Sequence, residues 1–407
     1  MTKKKKTSPW TKAMPEDQFA WMRQILAAPS PIGLEAAMSY GVIKPAMEKF
    51  MLPGWKIHQF KGNAGIVLDT HPGDDERTSV MLIGHADKIR MQVRSIGEDG
   101  KIWINSDSFL PCTLVGHEVS IFSEDPEKHG RYNVIEGGTV EALGAIHFAP
   151  PDFRNGGKGI KPEMLYVELQ AHGEDAKKEI QKAGIKQGDT IILKRPIKRG
   201  FSKDTFFGAY LDNGLGCFVV TELARLIAEA GGLKNLRVMF AIATYEEIGR
   251  FGSRVFAAQF KPDVLVGVDV DHDYKSAPGV GDQRHAPVTM GAGFSLATGA
   301  VTSEFMNSSI AKACAKEKIP FQRSPTGRDT GTDAMAAVLG NIDAAAVSVG
   351  IPLRNMHTIS ETAHTGDVLA CLHGLEAALN LMDGLHGGRG LSREDLQENH
   401  PRLDEAR

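Results

Sequence analysis

The stretch Val80-Met81-Leu82-Ile83-Gly84-His85-Ala86-Asp87 decides how the rest of the chain is read. Its apolar run, Val80 to Ile83, reads as a buried strand that ends at Gly84-His85 and hands over to polar residues. Three further runs have the same character: residues 236–244 (LRVMFAIAT), 264–270 (VLVGVDV) and 344–349. Between them lie helix candidates. Residues 214–230 place Leu215, Phe218, Val219, Leu223, Leu226 and Ile227 on one stripe at helical spacing, and 307–317 and 367–382 read similarly. Strands alternating with helices predict a three-layer α/β/α sheet with helices on both faces.

From about residue 89 to 203 the pattern changes. Strand-like pieces at 101–104, 117–122, 165–169 and 189–193 are broken by Gly, Pro and charged turns, with one helix near 174–183. This reads as a small β-rich domain (89–203) inserted between two parts of the larger domain (11–88 and 204–386), with flexible tails at 1–10 and 387–407. The 407 residues are enough for such an arrangement. With 42% hydrophobic and 24% charged residues the composition is that of a soluble globular protein. A formal net charge of -3 gives no electrostatic reason to expect nucleic acid or a membrane surface as partner. Cys112, Cys217, Cys314 and Cys371 form no CxxC pair, which argues against disulfide scaffolds and thiolate zinc sites and fits a reducing cytoplasm. The run Lys3-Lys4-Lys5-Lys6 reads as a solvated tail, without the apolar stretch a secretory signal requires. No window approaches the ~18 apolar residues of a membrane span. The stretch from Gly387 onward is polar and is expected to fray or lie on the surface.

The polar residues beside the apolar strands carry the chemistry. His85 and Asp87 follow the first, Glu246 and Glu247 the second; Asp269 ends the third, and His357 follows the fourth by a short loop. Asp212 opens the 214–230 helix. The carboxyl ends of strands in open α/β sheets line the ligand crevice, so these side chains are expected to converge. Buried carboxylates are costly unless paired or bound to metal. Two histidines with several carboxylates and no thiolate suit Zn²⁺ and admit Co²⁺ and Mn²⁺.

The chain resembles the glutamyl aminopeptidase or tetrahedral (TET-type) aminopeptidase family of dinuclear metallopeptidases. The resemblance rests on GHAD (84–87), AYLDNGLG (209–216), YEEIG (245–249), VGVDV (266–270), GTDA (331–334) and IPLRNMHT (351–358), in the family's order across residues 20–380. In the insert, LYVELQAHGEDA followed by GIKQGD resembles the family's β-rich dimerisation domain. The resemblance implies that Asp212 bridges two metal ions. His85 and Asp269 would complete one site, and Glu247 and His357 the other. It further implies that Glu246 is the catalytic Glu and that Asp87 orients His85, as metal-bound histidines require. His85 and Asp212 are 127 positions apart, and the insert fills that gap. This favours the TET-type family over carboxypeptidase-like relatives.

A chain twisting just past a strand end lets adjacent Glu246 and Glu247 reach one pocket with different tasks, one as base and one as ligand. Weaker signals stay local. Gly291-Ala-Gly293 reads as a turn, His117-Glu118 as a strand pair and Cys217 as a core residue. Asp333 is expected to support the site by hydrogen bonding and His364 to lie on the surface, while His272 and Asp273 could line the pocket or belong to a loop. Lys88, Phe251 with Arg250 displaced by one, and Asn355 depart from the family's pattern and bear on substrate preference. The expectation is a cytoplasmic aminopeptidase with two divalent ions per subunit, acting on peptides. The resemblance implies dimers that assemble into a hollow dodecamer. A deacylase of N-acyl amino acids and a non-catalytic scaffold on a peptidase fold are the rivals.

Overall fold

The computed structural model describes residues 10, 13–106, 108–142, 144, 148–151, 159–277, 280 and 285–400. The lysine run at 3–6 lies outside them. The strands, in chain order, are β1 (Lys56–Gln59), β2 (Gly65–Asp69), β3 (Thr78–His85), β4 (Met91–Ile96), β5 (Ile102–Ser106), β6 (Glu118–Glu124), β7 (Tyr132–Ala142), β8 (Leu165–Glu168) and β9 (Thr190–Leu193). They continue with β10 (Lys198–Arg199), β11 (Thr205–Gly208), β12 (Leu236–Ala243), β13 (Val264–His272), β14 (Phe294–Thr298), β15 (Phe321–Pro325), β16 (Ala345–Arg354) and β17 (Glu361–His364).

Eleven of these strands form one mixed sheet with the order β1-β2-β12-β3-β13-β16-β17-β11-β10, to which β14 and β15 attach beside β16. Its centre is four parallel neighbours, β12, β3, β13 and β16. They are the four apolar runs read from the sequence. Side chains of a strand alternate between faces, and β3 shows what that does: Val80 and Leu82 join the core on one side, Met81 and Ile83 that on the other. Both faces are therefore covered. Leu215, Phe218 and Val219 of the Leu211–Glu229 helix pack on the first face, and Phe256 and Ala257 of the Phe251–Phe260 helix on the second. Each large side chain so buried contributes about 1.5–3 kcal/mol relative to exposure.

Two glycines let the Leu211–Glu229 helix lie close on the sheet. A Cβ at Gly84 would come within 2.6 Å of the Gly216 carbonyl carbon, and one at Gly216 within 2.2 Å of the Val268 carbonyl oxygen. The glycines of GHAD and LDNGLG thus seat the helix start against β3 and β13.

The remaining six strands close a barrel, β4-β5-β8-β7-β6-β9, around their own core of Met91, Val93, Ile104, Val119, Ile121, Val140, Val167 and Ile191. Tyr210 reaches into this core, and its hydroxyl accepts a 2.7 Å hydrogen bond from the Leu193 N–H. It stands directly before the start of the Leu211–Glu229 helix, so barrel and sheet meet beside Asp212.

The structure differs from the sequence reading in places. Asp269 lies inside β13, which runs on to His272, because Asp271 and His272 still pair with β16 at Pro352 and Leu353. The polar stretch expected to fray from Gly387 is partly folded. Leu391 is buried in the main core, Ser392 and Asp395 form a capping box, and Arg393 of the Arg393–Glu398 helix pairs with Asp263 at 2.8 Å.

Candidate metal centre

The register of the central strands aligns their carboxyl ends: His85 is opposite Ala243, and Asp269 is opposite Gly350. His85 closes β3, Glu246 and Glu247 stand in the turn after β12, Asp269 is in β13, and His357 lies between β16 and β17. Asp212 enters from the Leu211–Glu229 helix, where it and Asn213 have non-helical backbone angles. Asn213 explains how this irregular start is held. Its amide donates to the Val268 carbonyl at 2.9 Å and its oxygen accepts the Gly216 N–H at 2.7 Å.

All five sequence-derived ligand candidates come together in two groups that share Asp212. Ligand atoms of His85, Asp212 and Asp269 lie within 4.8 Å of one another, as do those of Asp212, Glu247 and His357. His85 Nε2 is 3.3 Å from Asp212 Oδ1 and 3.8 Å from Asp269 Oδ1. His357 Nε2 is 3.1 Å from Asp212 Oδ2 and 3.6 Å from Glu247 Oε1. Glu246 Oε2 sits 3.9 Å from His85 Nε2, beside the first group.

Asp87 holds this arrangement from behind. Its carboxylate is 3.3 Å from His85 Nδ1, and its two oxygens accept the backbone N–H groups of Glu246 and Glu247, each at 3.1 Å. Glu361, which the sequence reading passed over, does the same for the opposite ligands. One of its oxygens accepts the N–H groups of Leu211 (2.6 Å) and Asp212 (3.2 Å), and the other accepts that of His357 (2.8 Å). Its signal was the alternation in Glu361-Thr362-Ala363: Glu361 shares the inward face with a buried alanine. Tyr210, Tyr245, Arg250, Asn355 and His357 all have positive φ, so left-handed backbone at non-glycine residues gathers around the ligands.

The electrostatics show an excess of carboxylate. Burial, together with the nearby Asp333, Asp269 and Glu247, pushes Glu246 up to about 10 despite His85. Burial and Asp212 push Asp269 up to about 8 against the pull of His85. Glu247 is raised by burial and by Asp212. Burial would also raise Asp212, but His357 and His85 outweigh it and hold this carboxyl below its ordinary range. The imidazoles mirror this. Burial disfavours the His357 cation, yet Asp212 and Glu247 push it up to about 11; for His85, Asp87, Asp212 and Asp269 likewise outweigh burial.

These residues fit divalent cations. Asp212 Oδ1 and Glu247 Oε1 are buried without a hydrogen-bond partner, and an unsatisfied buried acceptor costs about 1–3 kcal/mol. With its Nδ1 turned to Asp87, His85 faces Asp212 Oδ1 with Nε2, and two lone pairs at that distance repel unless a proton or cation lies between. The all-oxygen-and-imidazole donor set matches Zn²⁺ and its first-row neighbours.

The other candidates separate clearly. Asp333 is buried and accepts a hydrogen bond from Ser253 Oγ. Asp273 is buried against Arg354 at 2.8 Å, and His272 rests its ring against Tyr274. Gly291 and Gly293 form a turn whose N–H groups bind the Asp367 carboxylate. His364, expected on the surface, is half-buried; its Nδ1 accepts the Gly366 N–H and caps the Thr365–Asp383 helix. Cys217 is buried and directs its thiol at the His85 carbonyl, 3.0 Å away. Lys88 is also buried, and its ammonium donates to the Leu26 and Ala28 carbonyls at the end of the Glu16–Ala27 helix. Arg250 pairs with Asp329 at 2.9 Å and lies 3.5 Å from Glu246.

The model of the M42 glutamyl aminopeptidase family matches residues 65–373. A lysyl aminopeptidase of Pyrococcus furiosus is 26% identical over 359 residues, covering 85% of this chain and 92% of that protein. Among solved structures, a TET aminopeptidase from a marine sediment Thaumarchaeota archaeon superposes with a TM-score of 0.79 at 21% identity, covering 94% of this chain and 99% of its own. The Pyrococcus horikoshii TET1 peptidase, described as assembling into a tetrahedron or a large octahedral shell, superposes with a TM-score of 0.71 at 18% identity over 88% and 98% of the two chains. Mixed sheet and barrel are thus a shared fold. With the family model spanning most of its length, the chain belongs to the M42 glutamyl aminopeptidase family of metallopeptidases, hydrolases that act on peptide bonds.

Proposed function

We propose that the chain is an aminopeptidase with two divalent metal ions per subunit, Zn²⁺ before Co²⁺ or Mn²⁺, and Glu246 as general base. The observation that carries this is the pair of three-ligand groups sharing Asp212, with the Glu246 carboxylate beside them. His85, Asp212 and Asp269 would hold one ion, and Asp212, Glu247 and His357 the other. When bound, such ions acidify water and polarise a scissile carbonyl. The protein's own groups do the rest. Glu246 Oε2 takes the proton of the attacking water and returns it to the leaving amine nitrogen. Asp87 keeps Glu246 and Glu247 in place through their backbone N–H groups and sets the ring of His85. Arg250, beside Glu246, steadies its ionised form.

The same reading assigns 89–203 as an inserted dimerisation domain between catalytic parts 11–88 and 204–386. It places the enzyme in the cytoplasm as a homo-oligomer, dimers building a dodecamer, that trims unfolded peptides. Among the described residues no helix is long and apolar enough to cross a membrane. Glu246→Gln tests the base. General acid–base groups contribute about 10²–10⁴-fold, so peptide hydrolysis by the variant should fall by that factor while metal content stays near that of the wild type. Undiminished turnover at full metal content would overturn the assignment.

A further inference from the structure

Next along β13 from Asp269, where Val270 and Asp271 face β14, β15 and the middle of β16, lies a cavity of about 380 Å³. Gly350, opposite Asp269 in the register, forms part of its floor. The stacked rings of Tyr274 and His285, 4.3 Å apart, make one wall, and Asp329, tied to Arg250 beside Glu246, makes another. The cavity is thus linked to the proposed base through Asp329 and Arg250, and to a proposed ligand through Gly350, the strand partner of Asp269.

Its charge is unbalanced. Asp329 is neutralised by Arg250 at 2.9 Å. Asp271 is not: among the described residues no cation lies within ion-pair distance. Its oxygens accept only the Ser295 hydroxyl (2.7 Å) and the N–H of His272 (2.7 Å), leaving each a free lone pair. Asp271 follows Asp269 by two residues on one strand, so the two side chains share a face about 6.6 Å apart along β13. Gly350 is what lets the Asp271 side chain cross over β16, since a Cβ there would lie 2.8 Å from Asp271 Cβ.

We propose that this cavity receives the side chain of the substrate's N-terminal residue and that Asp271 selects a basic one, lysine or arginine. This rests on the aminopeptidase reading above. A residue whose scissile carbonyl sits among the proposed ligands carries its side chain toward the cavity, and a long side chain ending in a cation meets Asp271, a carboxylate with no cation partner among the described residues. An apolar side chain would strip water from that carboxylate and give nothing back, and an acidic one would be repelled.

The test compares p-nitroanilides of lysine, arginine, norleucine, leucine and glutamate on the metal-loaded enzyme. Norleucine has the lysine stem without its amine, so the lysine-to-norleucine ratio of kcat/KM reads the charge in the wild type alone. That ratio should be about tenfold or more, and Asp271→Asn should lower it by about 10–100-fold. Asp271→Lys should shift preference toward glutamate, with thermal melting confirming that both variants fold. A wild type that prefers leucine or norleucine overturns this inference and leaves the aminopeptidase reading standing. So does an Asp271→Asn variant that slows all five substrates by one common factor. Absence of turnover on every substrate overturns the aminopeptidase reading, and this inference with it.

Discussion

Replacing Asp87 by asparagine keeps the shape of the side chain and removes one of its two acceptor oxygens. The amide must choose an orientation. With its oxygen toward the Glu246 N–H and His85 Nδ1, its NH₂ faces the Glu247 N–H, donor against donor; turned over, it opposes Glu246 and His85 instead. The first orientation loses one bond and is the cheaper. A hydrogen bond to a charged acceptor is worth about 1.5–3 kcal/mol, which corresponds to about 10–150-fold in an equilibrium constant. The loss should surface in two places, because Asp87 holds a proposed ligand and the proposed base through adjacent N–H groups. Metal affinity, measured by competition with a chromophoric chelator, should weaken about 10–100-fold. At saturating metal, kcat on a peptide substrate should still fall, because Glu246 no longer has a fixed backbone. An Asp87→Asn protein that melts like the wild type, binds metal within twofold of it and keeps its kcat would show that these N–H bonds hold nothing the site needs.

Two further outcomes are expected. Glu361→Ala strips three backbone N–H groups, those of Leu211, Asp212 and His357, of their acceptor; denaturant unfolding should show a loss of about 3 kcal/mol or more, and a loss below about 1 kcal/mol would mean water or another group replaces it. Asp367 is raised by burial to about 7, its bonds from Gly291 and Gly293 only partly offsetting this. The folded state then holds a proton that the unfolded chain releases near pH 4, so stability is greatest below that value and falls as pH rises to about 7, by on the order of 3 kcal/mol. The stability difference between wild type and Asp367→Asn should follow that slope between pH 4 and 7, and a flat difference would refute it.

The legible part of the fold was the part written in long apolar runs. β3, β12, β13 and β16 are covered on both faces, so their sequences are almost continuously hydrophobic, and a charged or imidazole side chain at their carboxyl ends stands out. That is why the convergence of His85, Glu246, Glu247, Asp269 and His357 could be expected from the sequence. Glu361 could not be found in this way, since its partners are backbone N–H groups, two of them on a segment some 150 positions away and one in the neighbouring loop, and such groups leave no mark on side-chain sequence. Lys88 was visible only as a departure from a family pattern. Its burial follows from the Leu26 and Ala28 carbonyls, which close around its ammonium at the end of the Glu16–Ala27 helix. Asp269 reads as a strand end because the apolar run closes at Val270, whereas β13 continues through Asp271 and His272. The cavity around Asp271 needed the register of β13 on β16, and no spacing along the chain contains it.

The position of β3 also bears on the order in which the molecule can be made. During synthesis β3 emerges early, but the two strands that flank it, β12 and β13, follow only after the whole barrel has been translated. Until then its buried faces and His85 have no neighbours in the sheet, while the barrel, whose six strands are contiguous in sequence, can close alone with far less loop entropy to overcome. The proposed ligand set is therefore completed late, when His357 arrives behind β16. On the two-ion reading, a newly made chain would hold its ions only once β3, β12, β13 and β16 stand side by side, so metal capture would report that the centre of the sheet has assembled.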